Sequence, residues 1–250
     1  MSAALSTSGL NKAFGSLVVA GDIAFSLPKG ERYALIGPNG AGKTTLINLL
    51  TGMLKPDGGQ ILLDGQDITA EPPAARVERG LVRTFQINSL FPKLSALDAV
   101  TLAVCERRRE SGVWWRGLSR YGEAIEEAHT ILASLRLDHV AQTITKELAY
   151  GQQRLLEIAL ALATKPKVLL LDEPAAGVPK DESGDLFAAI DGLSRDLSIL
   201  FIEHDMNIVF RFATRIIVMV SGRILLEGTP AEIAADPRVR EVYLGTARHG

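Results

Sequence analysis

A short strand-like run, Arg32–Ile36, passes directly into Gly37-Pro38-Asn39-Gly40-Ala41-Gly42, and residues 43–50 then combine good helix formers with helical apolar spacing. This junction constrains the fold most, because a strand, a glycine-rich bend and a helix must follow one another without a break. The glycines let the backbone turn so that successive N–H groups converge on one point. The helix behind them directs the positive end of its dipole at the same point. Gly37-x-x-x-x-Gly42-Lys43-Thr44 therefore has the spacing and the flanks of a phosphate-binding loop. The pattern predicts that Lys43 reaches the β- and γ-phosphates of a nucleotide and that the Thr44 hydroxyl ligates Mg²⁺.

A second segment completes this chemistry. Val168-Leu169-Leu170-Leu171 is bounded by Lys167 and Asp172, the pattern of a fully buried parallel strand whose carboxyl end lies beside the cradle. Alone, an acidic pair at a strand end is usually just solvated. Downstream of an intact phosphate loop, Asp172 is read as a Mg²⁺ ligand and Glu173 as the group that accepts a proton from the attacking water.

Composition narrows the partners. The net charge of −2 gives no general reason to bind nucleic acid. One cysteine, Cys105, excludes an intrachain disulfide framework and a cysteine-based zinc cluster. The N-terminus lacks a basic region followed by an apolar stretch, so no secretory signal is expected. The apolar runs at 168–171 and 215–220 are too short to cross a bilayer. Service to a membrane would require docking onto another subunit.

Elsewhere the chain alternates strand and helix patterns, which predicts a mainly parallel sheet covered by helices. A strand is expected at 22–27 and a hairpin at 60–67 around Asp64-Gly65. Helical spacing recurs at 97–104, 124–135 and 155–163. The division that follows is an α/β core formed by residues 1–87 and 164–250, with a helical subdomain, 88–163, inserted into it. The tail 230–244 reads as two short helices broken at Asp236-Pro237. Trp114-Trp115 sits among Arg107, Arg108, Arg109, Arg116 and Arg120. Most simply this is a solvated helix end, with contact to a membrane subunit or lipid headgroups as the minority reading.

Leu148-Ala149-Tyr150-Gly151-Gln152-Gln153-Arg154 resembles the signature sequence of ABC ATPases, Gln86 in Arg83-Thr84-Phe85-Gln86 the Q-loop glutamine, and His204 the switch histidine. The motif order matches over nearly the whole chain. Together with Asp172-Glu173-Pro174-Ala175-Ala176-Gly177 and the tail motifs Glu227-Gly228-Thr229-Pro230 and Val242-Tyr243-Leu244-Gly245, these segments are similar to ATP-binding subunits of branched-chain amino acid importers. Relatives serving urea or short amides, or lipopolysaccharide export, look much alike. A non-transport ABC ATPase acting on nucleic acid is a more distant alternative.

The resemblance implies an α/β P-loop NTPase core of the ABC ATPase type, with an N-terminal antiparallel β portion and an inserted helical subdomain. It implies that Mg²⁺–ATP is bound by Phe14, stacked on adenine, and by Gly37, Pro38, Asn39, Gly40, Ala41, Gly42, Lys43, Thr44 and Thr45. Ala149, Gly151 and Gln152 would meet the ATP held by a second, identical or paralogous, ATPase subunit. Glu173, His204, Gln86 and Lys43 would carry catalysis, and Thr44, Gln86 and Asp172 would hold the metal. Integral-membrane permease subunits at the cytoplasmic face of the inner membrane are the implied partners. Two departures stand out. Ala149 replaces the usual signature serine, and Ala175-Ala176-Gly177-Val178-Pro179 lacks the aspartate that usually ends this loop.

Overall fold

The computed structural model describes residues 2–84, 92–109 and 121–244. It forms two compact units, the first made of Met1–Arg83, Lys167–Pro174 and Arg195–Gly250, the second of Thr84–Pro166 and Ala175–Ser194.

The first unit carries two sheets. In the antiparallel one, β1 (Ala3–Phe14) pairs with β2 (Leu17–Pro28) across a two-residue turn and with β4 (Gly58–Leu63) on its other side. β4 returns into β5 (Gln66–Asp67) through Asp64-Gly65, both at positive φ, as a twisted two-residue hairpin requires. The second sheet has the order β10-β9-β3-β8-β7-β6, where β3 is Arg32–Ile36, β6 Leu81–Arg83, β7 Val168–Asp172, β8 Ser198–Ile202, β9 Arg215–Val220 and β10 Arg223–Gly228. All its neighbours are parallel except β10, which pairs antiparallel with β9. β3 and β8 are buried along their whole length, and after Arg32 and Ser198, the buried polar residues that start them, they carry only apolar side chains and Tyr33.

Helix α1 (Lys43–Thr51) packs Leu46, Leu49 and Leu50 into a core shared with Leu5, Leu35, Leu170 and Leu200. It stops at Gly52, whose φ of 77° gives the left-handed cap that ends helices. Short α2 (Pro73–Glu78) precedes β6, and α7 (Met206–Phe212), α8 (Pro230–Ala235) and α9 (Pro237–Leu244) complete the helices of this unit. The break at Asp236-Pro237 falls where the sequence puts it.

The second unit is helical: α3 (Ala96–Arg107), α4 (Tyr121–Ser134), α5 (Tyr150–Leu162) and α6 (Lys180–Asp191). Ser95 caps α3 by accepting from the Asp98 N–H at 3.1 Å. Val100, Val104, Ala124, Ala128, Leu132 and Leu156 are buried, the apolar spacing visible in the sequence. The Arg107 guanidinium forks onto both oxygens of Glu127 at 2.8 Å each and reaches the Ala163 carbonyl, tying α3, α4 and the end of α5 together. That fork, reinforced by Lys165 and opposed by burial, holds the Glu127 carboxyl down at about 2.

Ala175–Ser194, which contains α6, groups with the helical unit, whereas the sequence division runs 164–250 together as core. The reason is packing: α6 buries Leu186, Phe187, Ala189 and Ile190, an amphipathic face that a linear division does not assign. Trp114 and Trp115 lie outside the described residues. Among the described residues no helix is long and apolar enough to cross a membrane.

Candidate active site

The loop between β3 and α1 forms the floor of a cleft of about 540 Å³. Asn39, Gly40, Ala41, Gly42, Lys43, Thr44 and Thr45 line it from below, Glu173 and His204 from one side, and residues 17–19 of β2 with Ser221 and Gly222 from another. The loop's geometry depends on its glycines. A Cβ on Gly37 would sit 2.3 Å from the Met219 carbonyl oxygen, and one on Gly42, at φ 98°, would sit 2.7 Å from that of Val19. Neither position tolerates a side chain without moving backbone.

Lys43 is buried, and its Nζ donates to the Gly37 carbonyl at 2.7 Å and to the Pro38 carbonyl at 3.1 Å. Burial pushes its ammonium below the ordinary lysine value, while Glu173 and Asp172 pull it back up. The lysine thus spans the loop it belongs to, with its charge incompletely compensated. An arriving phosphate would supply that compensation. Thr44 is exposed at the start of α1, with its hydroxyl free to face the cleft.

Glu173 follows directly on β7 and has φ 50°, a left-handed backbone that costs a non-glycine residue about 1–3 kcal/mol and collects at functional sites. Its N–H donates to the Ile202 carbonyl at 3.1 Å, which locks the turn against the end of β8. His204, two residues beyond β8, therefore comes alongside, and its Nε2 is 2.7 Å from Glu173 Oε1. The strand order brings together two side chains 31 residues apart in sequence. Asp172, at the end of β7, is engaged by Arg83, whose Nη2 donates to Oδ2 at 2.5 Å. Thr44 and Asp172 offer hard oxygen donors, the chemistry that suits Mg²⁺.

Other expected site residues are placed differently. Phe14 lies at the end of β1, is 56% exposed, and receives Lys12 Nζ 5.6 Å above its ring; the apolar residues that line the cleft are Leu17, Val18 and Val19. Leu17 and Val18 are 64% and 47% exposed in the fold, but nothing in the sequence marks them, since a hairpin tip of aliphatics looks like any strand. Arg83 is likewise a residue that the motif-based reading left without a role. Gln86 lies outside the described residues.

Ala149, Gly151 and Gln152 belong to the helical unit, at the start of α5. Ala149 offers no hydroxyl cap, and Gln152 Oε1 accepts from the Ala149 N–H at 3.0 Å. The helix thus begins with N–H groups open to an external acceptor. In the loop before α6, Gly177 has φ 79°, and a Cβ there would stand 3.0 Å from Tyr150 Oη. Tyr150 is held by Arg154, whose Nη2 donates to the phenol oxygen at 2.7 Å. The loop that lacks the usual aspartate is therefore packed against the first residue of α5.

Comparison with known proteins places the chain in a family. Residues 20–176 match the family model described as ABC transporter, and residues 223–249 match that described as branched-chain amino acid ATP-binding cassette transporter. The chain is 39% identical over 252 residues to the high-affinity branched-chain amino acid transport ATP-binding protein BraF of Pseudomonas aeruginosa, covering 97% of this chain and 98% of that protein. LivG of Escherichia coli, a high-affinity branched-chain amino acid transport ATP-binding protein, is also 39% identical with the same coverage. Among solved structures, the ADP conformation of an ATP-binding cassette of an ABC transporter superposes with a TM-score of 0.84 at 33% identity, covering 98% of this chain and 99% of that one. A nucleotide-free cassette from an ABC transporter gives 0.81 at 33% identity, with 97% and 99% covered. The chain belongs to the ABC transporter family, as one of its ATP-binding, ATP-hydrolysing subunits.

Proposed function

We propose that this chain hydrolyses Mg²⁺–ATP in the cleft above α1 and thereby drives uptake of branched-chain amino acids through integral-membrane partners, from the cytoplasmic face of the membrane. The observation that carries the catalytic part is the Glu173–His204 pair at 2.7 Å, set on the rim of the same cleft as the Lys43 loop. The likeness to BraF and LivG over almost the whole chain supports the cargo. It favours amino acids over the urea, amide, lipopolysaccharide or nucleic-acid alternatives.

Each residue has a physical task. Lys43 turns from the Gly37 and Pro38 carbonyls to the β- and γ-phosphates, and the open N–H groups at the start of α1 receive the same oxygens. Residues 17–19, with Phe14 beside them, give the base an apolar platform. Thr44, Asp172 and Gln86 would hold Mg²⁺, which would neutralise charge on the phosphates. Glu173 Oε1 orients a water and takes its proton as the water oxygen bonds to the γ-phosphorus and the bond to the β-phosphate oxygen breaks. In the resting site the His204 Nε2–H holds the Glu173 carboxylate in place, and once ATP is bound it turns to the phosphoryl oxygens. ADP and phosphate leave.

The helical unit, 88–163 together with α6, serves the other half of the cycle. Ala149, Gly151 and Gln152 present the N-terminus of α5 to the γ-phosphate of ATP held by a second ATPase subunit, identical or paralogous. Closing and reopening of that pair works the permease subunits.

Cells lacking their own branched-chain amino acid uptake, supplied with this chain and its membrane partners, test the cargo. Labelled leucine, isoleucine and valine should accumulate, and Glu173→Gln should abolish accumulation. Uptake of urea or amides with no leucine uptake would overturn the assignment.

A further inference from the structure

Arg83 ends β6, opposite Leu170 of the parallel strand β7, so its side chain reaches two residues along to Asp172. Its guanidinium makes two bonds in different directions. Nη2 donates to Asp172 Oδ2 at 2.5 Å, and Nη1 donates to Asn48 Oδ1 at 2.9 Å on α1. The Arg83 and Asp172 side chains are 17% and 20% exposed. The third donor, Nε, is buried and meets no acceptor among the described residues. The guanidinium thus divides its terminal nitrogens between the carboxylate that the proposed function gives to Mg²⁺ and the helix that begins with Lys43 and Thr44.

Charge decides what such a placement does. An unpaired carboxylate beside a polyphosphate repels it, and a cation near Asp172 removes that repulsion. A fixed cation also competes with any divalent ion for the same oxygens. Resting on the reading of Asp172 as a Mg²⁺ ligand, we propose that Arg83 is a built-in counter-ion for Asp172. It makes the cleft receptive to nucleotide before metal is present, and it sets the metal affinity by having to yield the carboxylate. Asn48 keeps the guanidinium from committing both its terminal nitrogens to Asp172. Arg83 is thus a positioning residue.

The two consequences have opposite signs, which a bracing role would not produce. With the full chain, ADP binding is measured by calorimetry in EDTA, and Mn²⁺ binding to the ADP complex by electron paramagnetic resonance. Arg83→Gln should weaken metal-free ADP binding and tighten Mn²⁺ binding, each by about tenfold, the scale on which outer-shell partners tune metal sites. Arg83→Lys, which keeps the charge, should stay within about twofold of the parent on both, well below that range. Asn48→Ala, which frees the guanidinium for Asp172, should weaken Mn²⁺ binding, and it keeps the test open if Arg83→Gln folds poorly. If both affinities fall together in Arg83→Gln, or neither moves, the counter-ion is refuted. Asp172→Asn separates the two readings. If it lowers Mn²⁺ affinity while Arg83→Gln does not raise it, only the counter-ion fails. If Asp172→Asn leaves Mn²⁺ binding unchanged, the metal assignment fails as well.

Discussion

At the scale of single residues the site rests on Glu173, whose backbone is held at φ 50° by the turn between β7 and the Ile202 carbonyl. The chain keeps a costly conformation to put one carboxylate within 2.7 Å of His204 Nε2. Glu173→Gln should retain ATP binding but lose about 10²–10⁴-fold in steady-state hydrolysis, the range for removal of a positioned base. Glu173→Gly should be equally inactive yet melt no lower than the parent, because glycine adopts this φ without strain. Calorimetry beside a phosphate-release assay separates the two effects, and a Glu173→Gly protein that melts several degrees lower would contradict the strain. Lys43, Thr44, Asp172 and Glu173 are marked in the sequence by short motifs whose local spacing suggests their tasks, and His204 only by its resemblance to the switch histidine; the structure brings Glu173 and His204 together on the cleft that the Lys43 loop lines. Arg83 and residues 17–19 were not legible in this way. Arg83 meets Asp172 across 89 positions and only through strand pairing, and an aliphatic hairpin tip carries no local mark of a ligand platform.

Among the elements, α1 is fixed at both ends, by the glycine loop at its start and by Arg76 at its finish. Arg76 is 2% exposed; its guanidinium donates to the Leu49, Leu50, Thr69 and Glu71 carbonyls at 2.6–3.0 Å, satisfying the helix end from outside. Burial pushes its pKa down, and Glu71 and Asp67 oppose that. Arg76→Met should cost about 3 kcal/mol by stranding those carbonyls, read as a lower denaturation midpoint. A loss under about 0.5 kcal/mol, the range of a neutral surface change, would contradict the capping role. In the helical unit Glu127→Gln should cost about 2 kcal/mol by breaking the Arg107 fork. The sign with pH follows from the depressed carboxyl. The folded group titrates at about 2 against an ordinary 4.5, so its contribution is complete above 4.5 and is lost as pH falls toward 2. The melting difference between parent and Glu127→Gln should therefore be full at pH 6 and shrink below pH 4.5; a constant difference would contradict it. Elements with clean periodicity, such as β3, α7 and the pair α8–α9, read directly from sequence. β1, β6, β10 and α2 did not: β1 mixes serine, threonine and asparagine into its alternation, β10 carries polar Arg223 and Glu227, and β6 and α2 are short and take their shape from strand pairing or a fixed neighbour.

For the whole molecule, the proposed function would divide the nucleotide's surroundings between the Lys43 loop and the start of α5 of a second subunit, segments that belong to different compact units. The fold class and family were readable from motif order, but the grouping of α6 with the helical unit was not, since that depends on which face each helix buries. Because Ala149 has no hydroxyl, the proposed contact to a second subunit's ATP would fall to backbone N–H groups. The lone native cysteine, Cys105, is buried, so introduced cysteines report cleanly. Asn39 and Ala149 are both exposed. The direct measurement is disulfide formation between Asn39→Cys and Ala149→Cys on separate chains, in the Glu173→Gln background with membrane partners and any paralogous ATPase co-expressed. A sandwich in which ATP bridges one subunit's phosphate loop and the other's α5 predicts a cross-link between ATPase chains that forms with Mg²⁺–ATP and not with ADP. No intermolecular cross-link, or one equally strong without nucleotide, would contradict it.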